Sequence, residues 1–408
     1  MALGCLHTLA FAVTMGNQPW IDGRLVIDGE SYLRGMRYLV AHDSFFDVLD
    51  LYHSPGYQIY LALLWRAWPW PDSFIFFSKL VSWAMYAISV ALVVGLGARL
   101  ANLRVGVLAG VLLSASPKYH VYVSLLQGEV LQGFLFVVMV VLSVQAVGSP
   151  GRKCLYLLTA VSLLMAGLVL LQIRFLPILV LLPLMFPACQ VTRKESAAAM
   201  ILPAVLVLAL WSGFHSRKQG TLVMISTGTT FRLKTAYNAK ATGAAYPYPP
   251  PTEPSGLDFV LSHPGQTALL VGRRFLYLWD LKPDQWYLGN PIVCKLNFRW
   301  GKFDPTPYDR PLYALGLSLF LLGVVTNLCQ ASKAGSLGLW GIPYAILLCI
   351  LSGPLLVFAS SRFLVPALPM VVLFQAVALI RIGESLGLPK VASLGLANSV
   401  QLSPALLP

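Results

Sequence analysis

Ten stretches of this chain are apolar, nearly free of charge and bounded by charged or turn-forming residues: roughly 1–16, 74–97, 105–117, 130–147, 155–171, 174–190, 197–214, 311–330, 337–359 and 363–380. In lipid every backbone polar group must be satisfied internally, so only helices or closed barrels span a membrane. Most of these runs exceed the roughly 9–11 residues of a barrel strand and approach the roughly 20 of a membrane helix. Hydrophobic residues make up 57% of the chain and charged residues 11%. Ordinary soluble domains carry about 25% charged residues. The expectation is an all-α polytopic membrane protein with about ten transmembrane helices. The first run lacks the basic start of a signal peptide and is read as a membrane helix whose beginning is missing. Residues 1–380 are read as one membrane-embedded domain and 381–408 as a short cytoplasmic tail.

Charge sets the expected topology. With the N-terminus in the cytoplasm, the inner loops are 98–104 (Arg99, Arg104), 148–154 (Arg152, Lys153), 191–196 (Arg193, Lys194), 331–336 (Lys333) and the tail (Arg381, Lys390). All are basic, as the positive-inside rule asks. Of 16 acidic residues, only Glu195 and Glu384 fall on that side.

Two outer loops, 17–73 and 215–310, are long. In the first, Tyr32, Leu33, Met36, Tyr38 and Leu39 put apolar atoms largely on one face of a short helix. Residues 55–68 (PGYQIYLALLWRAW) are apolar, too short to span and rich in interfacial Trp and Tyr. In the second, Ser255 is placed to cap a helix from Gly256, His263-Pro264 interrupts it, and TALLVGRRFLYLW resumes an apolar stripe containing Arg273 and Arg274. These segments read as interfacial helices. Residues 246–254 form a stiff, Pro-rich turn region. The six cysteines show no CxxC and no Cys/His cluster, so they read as core thiols rather than disulfide or zinc ligands. The net charge of +13 comes without a block of like charges or a nucleic-acid motif, and suits lipid head groups or a phosphate.

Ionisable residues at a membrane boundary are costly and therefore informative. Asp28-Gly29-Glu30 offers two carboxylates for a general base or a cation; the alternative is a capped helix start with Asp28 as N-cap. His53, in YHSPGY, precedes a helix and suits an anion, or is simply part of a polar turn. Lys118 and Glu129 flank the outer turn between two runs, Glu129 standing either at the water boundary or in a site. Arg174 (LLQIRFLP) and Arg362 (ASSRFLVP) occupy matching positions and suit phosphate through the planar guanidinium, or snorkel. The charge-derived topology places all of them on one side of the membrane.

In order along the chain, these pieces resemble the GT-C membrane glycosyltransferases, specifically bacterial relatives of the protein O-mannosyltransferases and of the aminoarabinose transferase that modifies lipid A. DGESY resembles the acidic D-E-x-Y-Y start of the first outer loop, and YHSPGYQIYLALL resembles H/K-P-P-L-Y-x-x-L-x-A-L. ASPKYHVYVSLLQGEVL resembles SP-x-x-x-x-Y-S-x-x-x-x-x-E, LLQIRFLP resembles L-x-R-P, and SSRFLVPALP resembles R-Y-R-x-P-x-x-P. TLVMISTGTTFRLKTAYNAKATGAAY resembles a Gly/Asn-rich outer stretch of bacterial members. The chain departs from these patterns where Gly29 separates the two acids, Gly56 replaces a proline, and Phe231-Arg232-Leu233 interrupts the Gly/Asn stretch.

The resemblance implies an enzyme that takes a sugar from a polyprenyl-phosphate donor and transfers it, usually with inversion, to an acceptor hydroxyl on a glycan, lipid or protein. It implies a multi-pass protein of the bacterial inner membrane with its site facing the periplasm or exterior. Asp28 would be the base with Glu30 the alternative, and Glu129 a second acid. His53, Lys118, Arg174 and Arg362 would bind the donor phosphate. The sequence requires no cofactor or metal, although a divalent cation is compatible with it; membrane lipids are partners and nucleic acid is not. The competing readings are a flippase or transporter of lipid-linked sugars and a non-catalytic homologue. A transporter predicts ionisable groups near mid-membrane and inverted repeats, and no repeat is visible in the sequence.

Overall fold

The computed structural model describes residues 26–44, 48, 53–123, 125–187, 189–244, 252–282, 309–333, 337–357 and 359–387, together with Ala2, Gly4, Leu6 and Leu9. The expected span 1–16 lies largely outside the described residues, as do Cys5, Cys294, the stretch 246–251 and the tail beyond 387.

The described chain is helical. Among the described residues, seven helices are long and apolar enough to cross a membrane: α3 (Pro71–Leu100), α6 (Glu129–Val147), α7 (Gly151–Leu171), α9 (Arg193–Gln219), α13 (Asp309–Lys333), α14 (Leu337–Leu356), and the apolar stretch Arg362–Ser385, most of which is α15 (Leu368–Ser385). Two expected spans are shorter: α4 (Leu103–Ser114), and the stretch Ile173–Met185, which contains α8 (Ile178–Met185). Prolines explain both. Pro117 closes the first run after Ser116 and Pro187 closes the second, because proline lacks the donor that helix continuation needs. The outer loops contribute α1 (Val26–Ala41), α2 (Gly56–Ala67), α5 (Pro117–Val123), α10 (Gly228–Ala236), α11 (Leu257–Ser262) and α12 (Pro264–Leu278). Both apolar segments of the first outer loop are therefore helices, and His263 separates α11 from α12 in the later loop. Among the described residues the only β-type pairing recorded is a parallel bridge between Ala244 and Ala359.

Local chemistry sets the helix ends. Asn102 accepts the Val105 amide at 3.0 Å to start α4. Thr192 and Glu195 form a reciprocal capping box at the start of α9. Gly220, in the left-handed region at φ 65°, ends it. Within α9, Pro203 interrupts the helix ladder, and the neighbouring Ala204 amide donates instead to Ser162 of α7 at 2.9 Å. Two expectations change. Ser255 does not cap α11; its hydroxyl donates to Glu253, and Gly256 opens the helix with φ 63°. The first outer helix begins at Val26, so Asp28 lies inside its first turn rather than before it.

In lipid, association depends on close packing rather than on hydrophobic transfer, and small residues allow that approach. Helices α3 and α4 pack together, and a Cβ on Gly106 would sit 2.2 Å from the Val94 carbonyl oxygen. Helices α13 and α15 cross in the same way, where a Cβ on Gly323 would sit 1.9 Å from the Phe374 carbonyl oxygen. Lys79 of α3 is 1% exposed, a charge in a span that the apolar pattern conceals. The thiols of Cys154 and Cys189, distant in sequence, approach to 3.6 Å, and Cys349 is buried while Cys329 is exposed.

Candidate functional site

Arg174 and Arg362 occupy equivalent local structures. Each lies in a short 3-10 turn, Ile173–Phe175 or Ser361–Ala367, that introduces an apolar helix. Each is followed by Phe-Leu and then, directly or after one residue, by proline. Proline suits the first turn of a helix, where its missing donor costs nothing. Pro177 follows the first 3-10 turn as the N-cap of α8, Pro366 lies inside the second, and each turn carries its arginine at the second position.

These two turns meet across the bundle. The Arg174 guanidinium carbon lies 4.2 Å from the centre of the Phe363 ring, and that of Arg362 lies 5.0 Å from the same ring. Arg362 Nε faces Glu129 Oε1 at 3.9 Å, an ion pair longer than a direct hydrogen bond. Glu129, the first residue of α6, is 3% exposed. Arg174 Nη2 donates to Gln132 Oε1 at 3.4 Å, one turn further along α6. Its Nε and Nη1 are enclosed and have no hydrogen-bond partner among the described residues. Two cations and one described carboxylate thus surround one ring. Buried charges are costly unless paired and hydrogen-bonded, and Arg174 keeps buried donors unused.

The first outer loop closes on this group. Gly29 of α1 backs onto the Leu126 carbonyl, to which a Cβ would come within 3.7 Å. Tyr32, one turn on, meets His53 and Tyr57 edge-on, with ring centres 5.7 and 4.9 Å apart. Tyr57 is buried; burial pushes its hydroxyl well above the usual tyrosine range, and neighbouring Tyr60, Glu129 and Tyr32 push the same way. His53 and Tyr32 therefore stand beside the Glu129 end of the group. Glu30 points to solvent, and the Asp28 side chain lies outside the described residues. Lys118 is committed elsewhere: its ammonium pairs with buried Asp280 and lies 4.9 Å from the centre of the Tyr313 ring. Among the described residues, no three His, Cys, Asp or Glu side chains gather as a metal site.

One residue outside the expected set is prominent. Arg274 of α12 is fully buried. Its Nη1 donates to the Leu355 and Leu356 carbonyls at 3.2 and 3.1 Å, and its Nη2 to Ala236 at 2.7 Å. Its guanidinium lies 4.4 Å from the centre of the Tyr237 ring. Burial holds it below the usual arginine range. A sequence signal exists: Leu270, Arg274, Tyr277 and Leu278 share one helical face, so Arg274 stands in the apolar stripe while Arg273 is exposed.

Solved structures with this arrangement of helices are known. One is ArnT from Cupriavidus metallidurans bound to undecaprenyl phosphate, which matches with TM-score 0.56 and 12% identity over 95% of this chain and 61% of that one. The described helices share the fold of that protein. The oligosaccharyltransferase of Archaeoglobus fulgidus tethered to an acceptor peptide containing the NVT sequon matches with TM-score 0.50 and 11% identity, over 97% of this chain and 51% of that one. AglB from the same organism, in complex with an inhibitory peptide and a dolichol-phosphate, gives TM-score 0.50 and 12% identity, over 98% and 52%. This chain therefore spans only 51–61% of the length of these proteins. No protein-family model and no curated protein matches its sequence.

Proposed function

We propose that the protein is a glycosyltransferase of the bacterial inner membrane. In this reading it moves a sugar from a polyprenyl-phosphate donor to an acceptor hydroxyl on the non-cytoplasmic face. The observation that carries the reading is the pairing of Arg174 and Arg362 on Phe363, with two buried Arg174 donors unused. A phosphate monoanion or dianion would accept from those donors through the planar, always-charged guanidinium fork. Support also comes from the fold, shared with a protein solved with undecaprenyl phosphate and another with a dolichol-phosphate.

In the proposed reaction the acceptor oxygen attacks the anomeric carbon as its proton passes to Asp28, with Glu30 the alternative base. The bond from the anomeric carbon to the phosphate oxygen breaks, and its electron pair stays on that oxygen. Arg174 and Arg362 stabilise the charge as it develops. Glu129 keeps Arg362 aimed at the site, and His53 and Tyr32 line the approach to it. Lys118 would join only after leaving Asp280, so it ranks last among the phosphate ligands.

The test is binding of undecaprenyl phosphate to the purified, lipid-supplemented protein. Wild-type should bind saturably, and Arg174→Ala and Arg362→Ala should each bind at least about tenfold more weakly, a loss of about 1.4 kcal/mol. Equal affinity in all three proteins would remove the arginine pair from the site. Mass analysis of membrane lipids and surface glycans from a deletion strain then identifies sugar and acceptor.

A further inference from the structure

We infer that Arg274 is a positioning residue for both phosphate-facing arginines, acting through the last turn of α14. This rests on the reading of Arg174 and Arg362 given above. The argument starts from what that turn touches. A Cβ on Gly353 would lie 2.7 Å from Arg174 Cβ, so the α14 backbone is the surface against which the Arg174 stem is seated. Two residues later the Leu355 and Leu356 carbonyls receive Arg274 Nη1, and Leu356 also accepts the Tyr237 hydroxyl. Three residues further, Ala359 bridges Ala244 and its amide donates to the Gly243 carbonyl at 3.1 Å. The next turn carries Arg362. Within ten residues the chain thus seats one arginine, is held by Arg274 and presents the other.

The other side of the clamp is as specific. Gly243 adopts φ 90° and lies against the Arg274 stem, where a Cβ would come within 3.4 Å of Arg274 Cγ. The Ala236 carbonyl that receives Nη2 is at the C-terminal end of α10, and Leu355 and Leu356 end α14. Helix C-termini carry partial negative charge and unsatisfied carbonyls, so a guanidinium can be buried there among backbone acceptors. Three carbonyls in two directions need the fork of arginine; the point charge of lysine reaches fewer of them. Arg274 therefore ties 236–244, 264–278 and 353–362 into one wall behind the arginine pair.

The experiment is a double-mutant cycle read by affinity for undecaprenyl phosphate. Arg274→Lys should weaken binding about tenfold. In an Arg174→Ala/Arg362→Ala background the same change should weaken the residual binding by less than about twofold, because both residues through which it acts are already removed; independent sites add instead. Tyr237→Phe, which removes only the hydroxyl bond to Leu356, should produce a smaller loss in the same direction and replaces Arg274→Lys if that variant does not fold. Losses that multiply, or wild-type affinity in Arg274→Lys and Tyr237→Phe while Arg362→Ala binds weakly, would overturn the inference alone. Wild-type affinity in Arg174→Ala and Arg362→Ala would overturn the underlying site, and this inference with it.

Discussion

Arg174 is the residue on which the phosphate reading is most exposed to test. A charge-assisted hydrogen bond contributes roughly 1.5–3 kcal/mol when its partner is present. Two donors are enclosed without partners among the described residues, so Arg174→Ala should cost at least tenfold in donor use, about 1.4 kcal/mol, and little in stability. Steady-state transfer at varied donor concentration checks this. The acid pair is tested separately. Asp28→Asn keeps the size and removes the proposed base, and should lower turnover by about 10²-fold or more, the usual contribution of a general base. Glu30 points to solvent, so Glu30→Gln should cost less. A dead Glu30→Gln enzyme with normal Asp28→Asn turnover would reverse the roles; two active variants would make the loop structural. At this scale the sequence was partly legible. Arg174, Arg362 and Glu129 each mark a charge at the edge of an apolar run, but their meeting on Phe363 depends on tertiary contacts between positions far apart in sequence. Lys118 has the same local signature and is nonetheless bound to Asp280. Arg274 differs: its place in the apolar stripe of α12 is a local signal.

Among the elements, the spans follow the hydrophobic runs, because a run and a helix long enough for lipid are nearly the same requirement. The two short ones, α4 and α8, end where proline removes the next donor. What no run encodes is which faces touch. The α3–α4 crossing turns on Gly97 and Gly106, where a Cβ on Gly97 would lie 2.6 Å from Gly106 Cα. Gly106→Ala forces a Cβ against the Val94 carbonyl and should destabilise by about 1–3 kcal/mol, the usual cost of overpacking. Gly95, two residues before the crossing, has open space around it. Gly95→Ala should be neutral or stabilising by up to about 1 kcal/mol, the helix preference of alanine over glycine. Thermal unfolding of the detergent-solubilised variants separates the two. Equal behaviour would mean that the glycines serve helix flexibility rather than contact.

Over the whole molecule, sidedness links the sequence to the proposed chemistry. Lys118 with Asp280, Glu129 with Arg362, and Arg274 with the end of α14 gather on one end of the bundle. At the other end Cys154 meets Cys189, and Arg381 donates to Gln330 at 2.6 Å. The two ends correspond to the acid-bearing loops and to the short, basic, acid-poor loops of the positive-inside pattern, with Arg99, Arg104, Arg152 and Arg193 at the second. A polyprenyl-phosphate donor used outside the cytoplasm requires the first end to face outward. In a cysteine-free background, Asn102→Cys and Arg193→Cys should react with a membrane-impermeant maleimide only after the inner membrane is opened. Leu222→Cys and Thr242→Cys, both at exposed positions of the long outer loop, should react in spheroplasts with that membrane intact. Thr242 is the decisive position, because it lies one residue from the Gly243 that packs on Arg274 and two from the bridge to Ala359. Labelling of Thr242→Cys only after the membrane is opened would place the arginine pair in the cytoplasm, and with it any phosphate the pair holds. The reaction would then draw on a cytoplasmic donor pool, and the assignment of an externally facing transferase would fail even if both arginines bind phosphate.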